Sequence, residues 1–297
     1  MKIFQKKDIL PQESQTVKVI RYASKNLDIG QLQWLKDIPD EEHELINQLY
    51  LCLNQNQINC QGVHQLGKDL SQLCNLQVLH IRLGMTYLKD QGANILASYI
   101  VNLTKLTNLA VSIWENEITE IGISQFAEQI VQLVMLKQID LYLGNNCLKD
   151  EGLTKLSEKI ILLQNLTSLQ ISLWDNQLKD EGLINFCLNL KNMKQLKNLY
   201  LDVSSNSITD QGIQKLGQTI QSLQNLCLLE LVAYENQLTF DGRQQLIMLV
   251  RKTSNLKFLS LNLENAISAS PPNKKLYLNL KKGLRLIYVK TVDFLIE

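Results

Sequence analysis

The chain predicts an α/β solenoid of 30-residue repeats, curved, with parallel strands on a concave face and helices on a convex one. Three observations predict it. Gly62, Gly92, Gly122, Gly152, Gly182, Gly212 and Gly242 stand in phase at a spacing of 30 residues. Asn56, Asn116, Asn146, Asn176, Asn206 and Asn236 keep the same phase, with Thr86 as the exception. Around Asn146 the unit is complete: Leu136, Ile139, Leu141, Leu143, Leu148, Asp150 and Gly152, written L-x-x-L-x-L-x-L-x-x-N-x-L-x-D-x-G.

The two halves of a repeat have different periods. Leu169, Ile171 and Leu173 alternate with Ser168, Gln170 and Ser172, which is the period of a strand. Leu153, Leu156, Ile160 and Leu163 are spaced as one face of a helix. Asp150 precedes that helix and is expected to cap its free amides, as are Asp90, Asp180 and Asp210. The in-phase glycines are read as turns into the helices. Gly67, Ala97, Ala127, Ser157, Cys187 and Gly217 form a column of small residues suited to close packing of helix on strand, interrupted by Ile247. The asparagines are expected to be buried amides that tie the loops of adjacent repeats together, since a buried polar group needs partners. Strands stack about 4.8 Å apart and helices about 8 to 10 Å apart, so one of each per repeat must curve the array.

Residues 1–45 are read as an N-terminal cap built on a degraded repeat, in which Asn26 falls on the ladder and Val19, Arg21 and Ala23 on the strand positions. Residues 34–51, with Pro39, Asp40, Glu41 and Glu42 as a start signal, are expected to form a helix running into the first good strand. The array itself covers 46–265 and holds about eight strands. After Leu263 the period fails, Pro271 and Pro272 interrupt, and Lys274, Lys275, Lys281, Lys282, Arg285 and Lys290 cluster, so residues 266–297 are read as a basic C-terminal cap.

This pattern resembles the leucine-rich repeat. Its Asn-x-Leu-x-Asp-x-Gly segment is similar to the ribonuclease-inhibitor-like and RanGAP-like subclass, and its extra Leu-x strand step looks like the expanded leucine-rich repeat families of ciliates. The resemblance implies a binding scaffold and names no partner. RanGAP-like proteins assist GTP hydrolysis, and a loop residue such as Asn146 is where such a role would fall here. The same asparagine recurs in every repeat but the one with Thr86, however, which marks it as structural.

Composition narrows the function classes. Net charge is +1, so no global field draws the molecule to nucleic acid or to a membrane. The first residues lack an apolar run of signal-peptide type, and no stretch reaches 18 apolar residues. Six cysteines (Cys52, Cys60, Cys74, Cys147, Cys187, Cys227) occupy different repeat positions and form no C-x-x-C pair, which reads as reduced thiols of a cytoplasmic protein. His43, His64 and His80 are too scattered for a metal cluster, and no phosphate-cradling or nucleophile-elbow motif occurs. No cofactor, metal, catalytic residue or small-molecule substrate is expected.

Specificity must lie on the outward strand residues, which vary while the leucines do not. The position two before the ladder reads Asn54, Gly84, Trp114, Gly144, Trp174, Ser204, Tyr234, a 60-residue alternation in which Glu115, Asp175 and Glu235 follow the aromatics. Either large residues pack over small ones, or the aromatics anchor a partner, as Trp and Tyr do at interfaces. Seven acids fall on the inner positions, Glu115, Asp140, Asp175, Asp202, Glu230, Glu235 and Glu264, against one base, Arg82. Tyr142 and Tyr200, with Tyr50, add rigid contact area. The expected ligand is another protein with a basic or mixed surface, bound on an acidic, aromatic concave face. The alternatives are a structural subunit of a large assembly, with ciliary or cytoskeletal association, and a RanGAP-like GTPase regulator.

Overall fold

The computed structural model of the protein describes residues 19–23, 43–263 and 288–290. The chain forms two compact units, Met1–Asn146 and Cys147–Glu297. In the first unit lie β1 (Val19–Ala23), β2 (Gln48–Cys52), α1 (Cys60–Leu70), β3 (Val78–Arg82), α2 (Lys89–Ile100), β4 (Asn108–Ser112), α3 (Glu120–Ile130) and β5 (Gln138–Tyr142). In the second lie α4 (Lys149–Ile160), β6 (Ser168–Ser172), α5 (Asp180–Leu190), β7 (Asn198–Asp202), α6 (Asp210–Ser222), β8 (Leu228–Val232), α7 (Phe240–Val250), β9 (Phe258–Asn262) and β10 (Tyr288–Lys290). Within each unit every strand pairs in parallel with the next in the chain.

The register keeps the 30-residue period. Leu49 pairs with Leu79, Leu109 with Ile139, Leu169 with Leu199 and Leu229 with Leu259. These residues, with the alternate positions Leu51, Ile81, Val111, Leu141, Ile171, Leu201, Leu231 and Leu261, are buried against the helices. A strand whose side chains alternate faces can therefore bury one row completely and display the other. The period also reaches β10, where Tyr288 pairs with Phe258 although the sequence pattern has lapsed after Leu263.

Two expectations about the N-terminal region change. Strand β2 already begins at Gln48, so the helix expected over residues 34–51 does not extend through them; the buried alternation of Leu49, Leu51 and Leu53 takes them into the sheet. Val19 pairs with Gln48, 29 residues away, so Ile20 and Tyr22, not Val19 and Arg21, hold the register positions of Leu49 and Leu51. The remainder of the caps, including Asn26, Pro271, Pro272 and the basic cluster up to Arg285, lies outside the described residues.

The asparagine ladder is built as expected. Asn116 Oδ1 accepts the Thr86 and Leu88 amides at 3.0 and 3.1 Å, and its Nδ2 donates to the Leu83 carbonyl at 2.7 Å. Asn206 treats Asn176, Leu178 and Leu173 in the same way. Where Thr86 replaces asparagine, its hydroxyl lies 2.6 Å from the Leu83 carbonyl and 3.2 Å from Asn116 Oδ1, so the rung survives with a shorter side chain.

The aspartates do not cap their own helices. Asp90 and Asp150 lie inside the first turn, and α2, α4 and α5 have no side-chain cap. Their carboxylates reach forward into the following repeat instead. Asp90 accepts the Thr119 amide and hydroxyl, both at 2.7 Å, and Asp180 accepts those of Thr209 at 2.8 and 2.5 Å. Asp150 accepts the Lys179 amide at 2.8 Å, and Asp210 takes both groups of Thr239. Thr119, Thr209 and Thr239 are the actual caps, each hydroxyl also accepting a helix amide. Asn59 does the same for α1.

The glycines follow from this arrangement rather than from turn geometry, for no glycine among the described residues has a positive φ. A Cβ on Gly122, Gly182, Gly212 or Gly242 would collide with Oδ1 of Asp90, Asp150, Asp180 or Asp210 respectively. The small-residue column likewise serves helix-on-helix contact, not helix-on-strand. The space beside Gly67 is filled by the Tyr99 ring, and Leu249 Cδ1 stands 2.9 Å from where a Cβ on Gly217 would be. Asn189 donates to the Ser157 hydroxyl across the same seam at 2.9 Å. Cys187 is fully buried there, and burial pushes its thiol up to about 12. All six cysteines are free.

Candidate interaction face

In each unit the outward strand row and the loop positions just beyond it form a variable surface, and the structure sorts the expected site residues into three groups. The first is aromatic. Trp114, Trp174 and Tyr234 are half-buried, whereas the positions between them, Gly84, Gly144 and Ser204, are buried. In the first unit the reason is direct: the Trp114 indole lies where a Gly84 side chain would be, with Nε1 and Cε2 nearest. Large-over-small packing therefore holds the ring, and its remaining surface is open to solvent. Tyr142 and Tyr200 are half-buried on the strands themselves.

The second group is exposed acid. Glu115, Asp175 and Glu235 are exposed, each directly after an aromatic, and each has left-handed backbone with φ of 54°, 50° and 52°. Gln55, Met85, Asn145 and Ser205 share that conformation, with φ of 61°, 57°, 49° and 52°. Loop amides and carbonyls impose it. The Gln55 amide donates to the Gly84 carbonyl, Met85 to Trp114, Glu115 to Gly144, Asp175 to Ser204 and Ser205 to Tyr234. The left-handed positions of this second inter-repeat ladder carry no sequence signature, because none of them is glycine. It fixes where the side chains after the aromatics leave the backbone. Ser205 further anchors Glu235, donating to its carboxylate at 2.6 Å. Glu230 is half-buried on β8.

The third group changes the expected electrostatics. Asp140 and Asp202 are only 7% and 8% exposed and are engaged from within. Gln138 donates to both Asp140 oxygens at 3.2 and 3.0 Å, and burial raises the Asp140 carboxyl above its ordinary range against that bond. Asp202 accepts the Ser204 amide and hydroxyl at 3.0 and 2.6 Å and the Ser172 hydroxyl at 3.0 Å. Neighbouring strands about 4.8 Å away leave little water around a short side chain in the middle of the row. Two of the counted acids thus sit in the sheet surface instead of projecting from it, and Glu264 lies outside the described residues.

The charge that remains is unevenly placed. In the first unit Arg82 is exposed, and His80, two residues before it, packs at a tilt of 51° against Tyr50 with ring centroids 4.6 Å apart. Burial first, and then the Arg82 charge, hold His80 below the usual imidazole range. Asn146 is 5% exposed; its Oδ1 accepts the Asn116 and Ile118 amides, and its Nδ2 donates to Ile113 and Leu143. Among the described residues no group of three metal-ligating side chains occurs, and no helix is long and apolar enough to cross a membrane.

Comparison with known proteins bears on the fold. The family described as Leucine Rich repeat matches residues 140–157 and 199–217. No curated protein matches the chain. Among solved structures, an internalin (inlF) from Listeria monocytogenes is 19% identical, covering 85% of this chain and 71% of its own, with a TM-score of 0.44. Actin-binding site 2 of leiomodin-1 is 17% identical over 46% of this chain and 73% of that one, with a TM-score of 0.36. The TLR13–ssRNA13 complex is 18% identical over 88% of this chain and 39% of that one, with a TM-score of 0.39. The family match falls on two of the repeats whose period, asparagine ladder and parallel register are described above, and the chain is an α/β leucine-rich repeat solenoid.

Proposed function

We propose that the protein is a non-enzymatic interaction scaffold whose strand face binds another protein of basic or mixed surface charge. Trp114, Trp174 and Tyr234 act as anchors, and Glu115, Asp175, Glu230 and Glu235 supply the complementary charge. One observation carries this reading: every aromatic of the row is half-buried and followed by an exposed carboxylate on a rigid left-handed backbone. A held ring loses little freedom on binding, and Trp and Tyr are the residues that concentrate binding energy at interfaces. Tyr142 and Tyr200 extend the contact surface, whereas Asp140 and Asp202 serve by shaping the sheet. A RanGAP-like role for Asn146 gains no support, because both ends of its amide are engaged within the repeats. The ribonuclease-inhibitor-like subclass belongs to the same proposal, supported by α-helices of 11 to 13 residues in the repeats. A cytoplasmic location accords with six free cysteines.

The test is affinity capture of the tagged protein from its own cells, wild type beside a variant with Trp114, Trp174 and Tyr234 all changed to Ala. Loss of a specific partner from the variant supports the reading. Recovery of the same proteins by both overturns it in favour of a structural subunit held by its edges and helices.

A further inference from the structure

The second unit differs from the first in the charge of its strand face. Along the outward positions of β6 to β9 and the two loop positions after the first three of these strands stand Asp175, Asp202, Glu230 and Glu235, with no lysine or arginine. In the first unit the same positions include Arg82. Cations are therefore drawn to the second unit, and its geometry sets where they can sit. Trp174, Ser204 and Tyr234 are successive rungs, since the Asp175 amide donates to the Ser204 carbonyl at 3.1 Å and the Ser205 amide to the Tyr234 carbonyl at 3.0 Å. Ser204, between the two rings in the row, is buried. Each ring is followed by an exposed carboxylate, so the unit offers two aromatic–carboxylate pairs two strand spacings apart, about 9.6 Å. An aromatic face beside a carboxylate suits a lysine ammonium or an arginine guanidinium.

Few peptide conformations repeat at that distance. A β-strand presents the same face every two residues, about 6.7 Å. A polyproline II helix presents it every three residues, about 9.3 Å, and leaves its backbone groups without internal hydrogen bonds. Beside the aromatic row stands the half-buried carboxylate of Glu230, which can accept from such a backbone. An α-helix repeats a face every seven residues at about 10.5 Å and presents no free backbone groups along its length.

We propose that the strand face of the second unit binds a polyproline II segment carrying lysine or arginine at every third residue, one cation at Trp174–Asp175 and the next at Tyr234–Glu235. This rests on the strand face being the binding surface and names the partner's local chemistry.

The experiment is fluorescence anisotropy of the full chain with labelled synthetic peptides at about 0.15 M salt, where surface attraction without fit is largely screened. One peptide repeats Pro-Pro-Lys; the second has the same composition with its lysines contiguous; the third is a helix former with lysines seven residues apart. The repeating peptide is expected to bind about tenfold more tightly than either of the others. Trp174→Ala with Tyr234→Ala should abolish that preference, and Leu188→Ala, exposed on α5 of the same unit, should leave it. Equal binding of the first two peptides, a preference for the helical one, or persistence of the preference when Trp174 and Tyr234 are both changed overturns the proposal. If cellular capture still depends on the aromatics while the peptides bind equally, this proposal alone fails. If capture too is insensitive to them, the interaction-face reading fails with it.

Discussion

Oδ1 of Asp180 occupies the space that a Cβ on Gly212 would need, while accepting the Gly212 amide at 3.1 Å. The aspartate belongs to one repeat and the glycine to the next, so this contact sets how closely successive helix starts approach. In an ordinary helix, changing Gly to Ala gains up to about 1 kcal/mol. Here Gly212→Ala should instead cost about 1 to 3 kcal/mol, as overpacking does. Asp180→Ala should remove most of that penalty in the double variant. Gly92 is the control: the nearest atom to its missing Cβ is the flexible Leu88 Cδ2 at 3.0 Å, and the position before it in the ladder is Cys60. Urea unfolding of the set decides it; a stabilising Gly212→Ala would show that the helix starts move apart freely.

Asn116 joins two repeats through one amide, taking the Thr86 and Leu88 N–H groups and giving its own to the Leu83 carbonyl. All these groups are buried, and Asn116 is 1% exposed. Asn116→Ala leaves the Thr86 and Leu88 amides without their acceptor and should destabilise by about 2 kcal/mol, since an unsatisfied buried group forfeits its full desolvation cost. In a solenoid each repeat depends on its neighbours, so the loss should be local first. Amide hydrogen exchange should speed up at Thr86 and Leu88 before it does in the second unit. Uniform acceleration along the whole chain would contradict a local rung.

The period, the ladder and the buried leucine rows were legible because each repeats in one dimension along the chain. What the aspartates and glycines do was not, because Asp180 and Thr209 are partners across 29 residues and pattern alone does not say whether a carboxylate turns back to its own helix or on to the next. The left-handed backbone at Glu115 and Asp175 left no mark, since loop hydrogen bonds impose it on ordinary residues. Burial of Asp140 and Asp202 was hidden for a different reason. Alternation says which face a residue takes, but not that tightly spaced neighbours will close over a short side chain in the middle of that face.

Leu141 lies in the apolar strand row, paired with Val111 and fully buried. Leu141→Ala should cost about 2 to 5 kcal/mol, the range for truncating a core leucine. Leu188 is 50% exposed on α5, and Leu188→Ala should change stability by no more than about 0.5 kcal/mol. Thermal melting of the two variants side by side checks the assignment of faces. Equal shifts would mean that the row containing Leu141 is not the core.

Asp140 provides the test of the face's electrostatics. Burial lifts its carboxyl above the ordinary value of 3.8, and the Gln138 amide only partly offsets this. A raised value means that the folded chain holds the proton more tightly than the unfolded chain does. Its contribution to stability is therefore fully present below pH 3.8 and is lost as pH rises through the folded value. At neutral pH the carboxylate is charged and poorly hydrated, so Asp140→Asn, which keeps an acceptor for Gln138, should raise the melting temperature there. The gain should shrink as the pH is lowered towards 3.8, where the wild-type group takes up its proton. A lower melting temperature for Asp140→Asn at neutral pH would mean that the charge itself is held by a cation, and Asp140 would then return to the set of residues that display charge on this face.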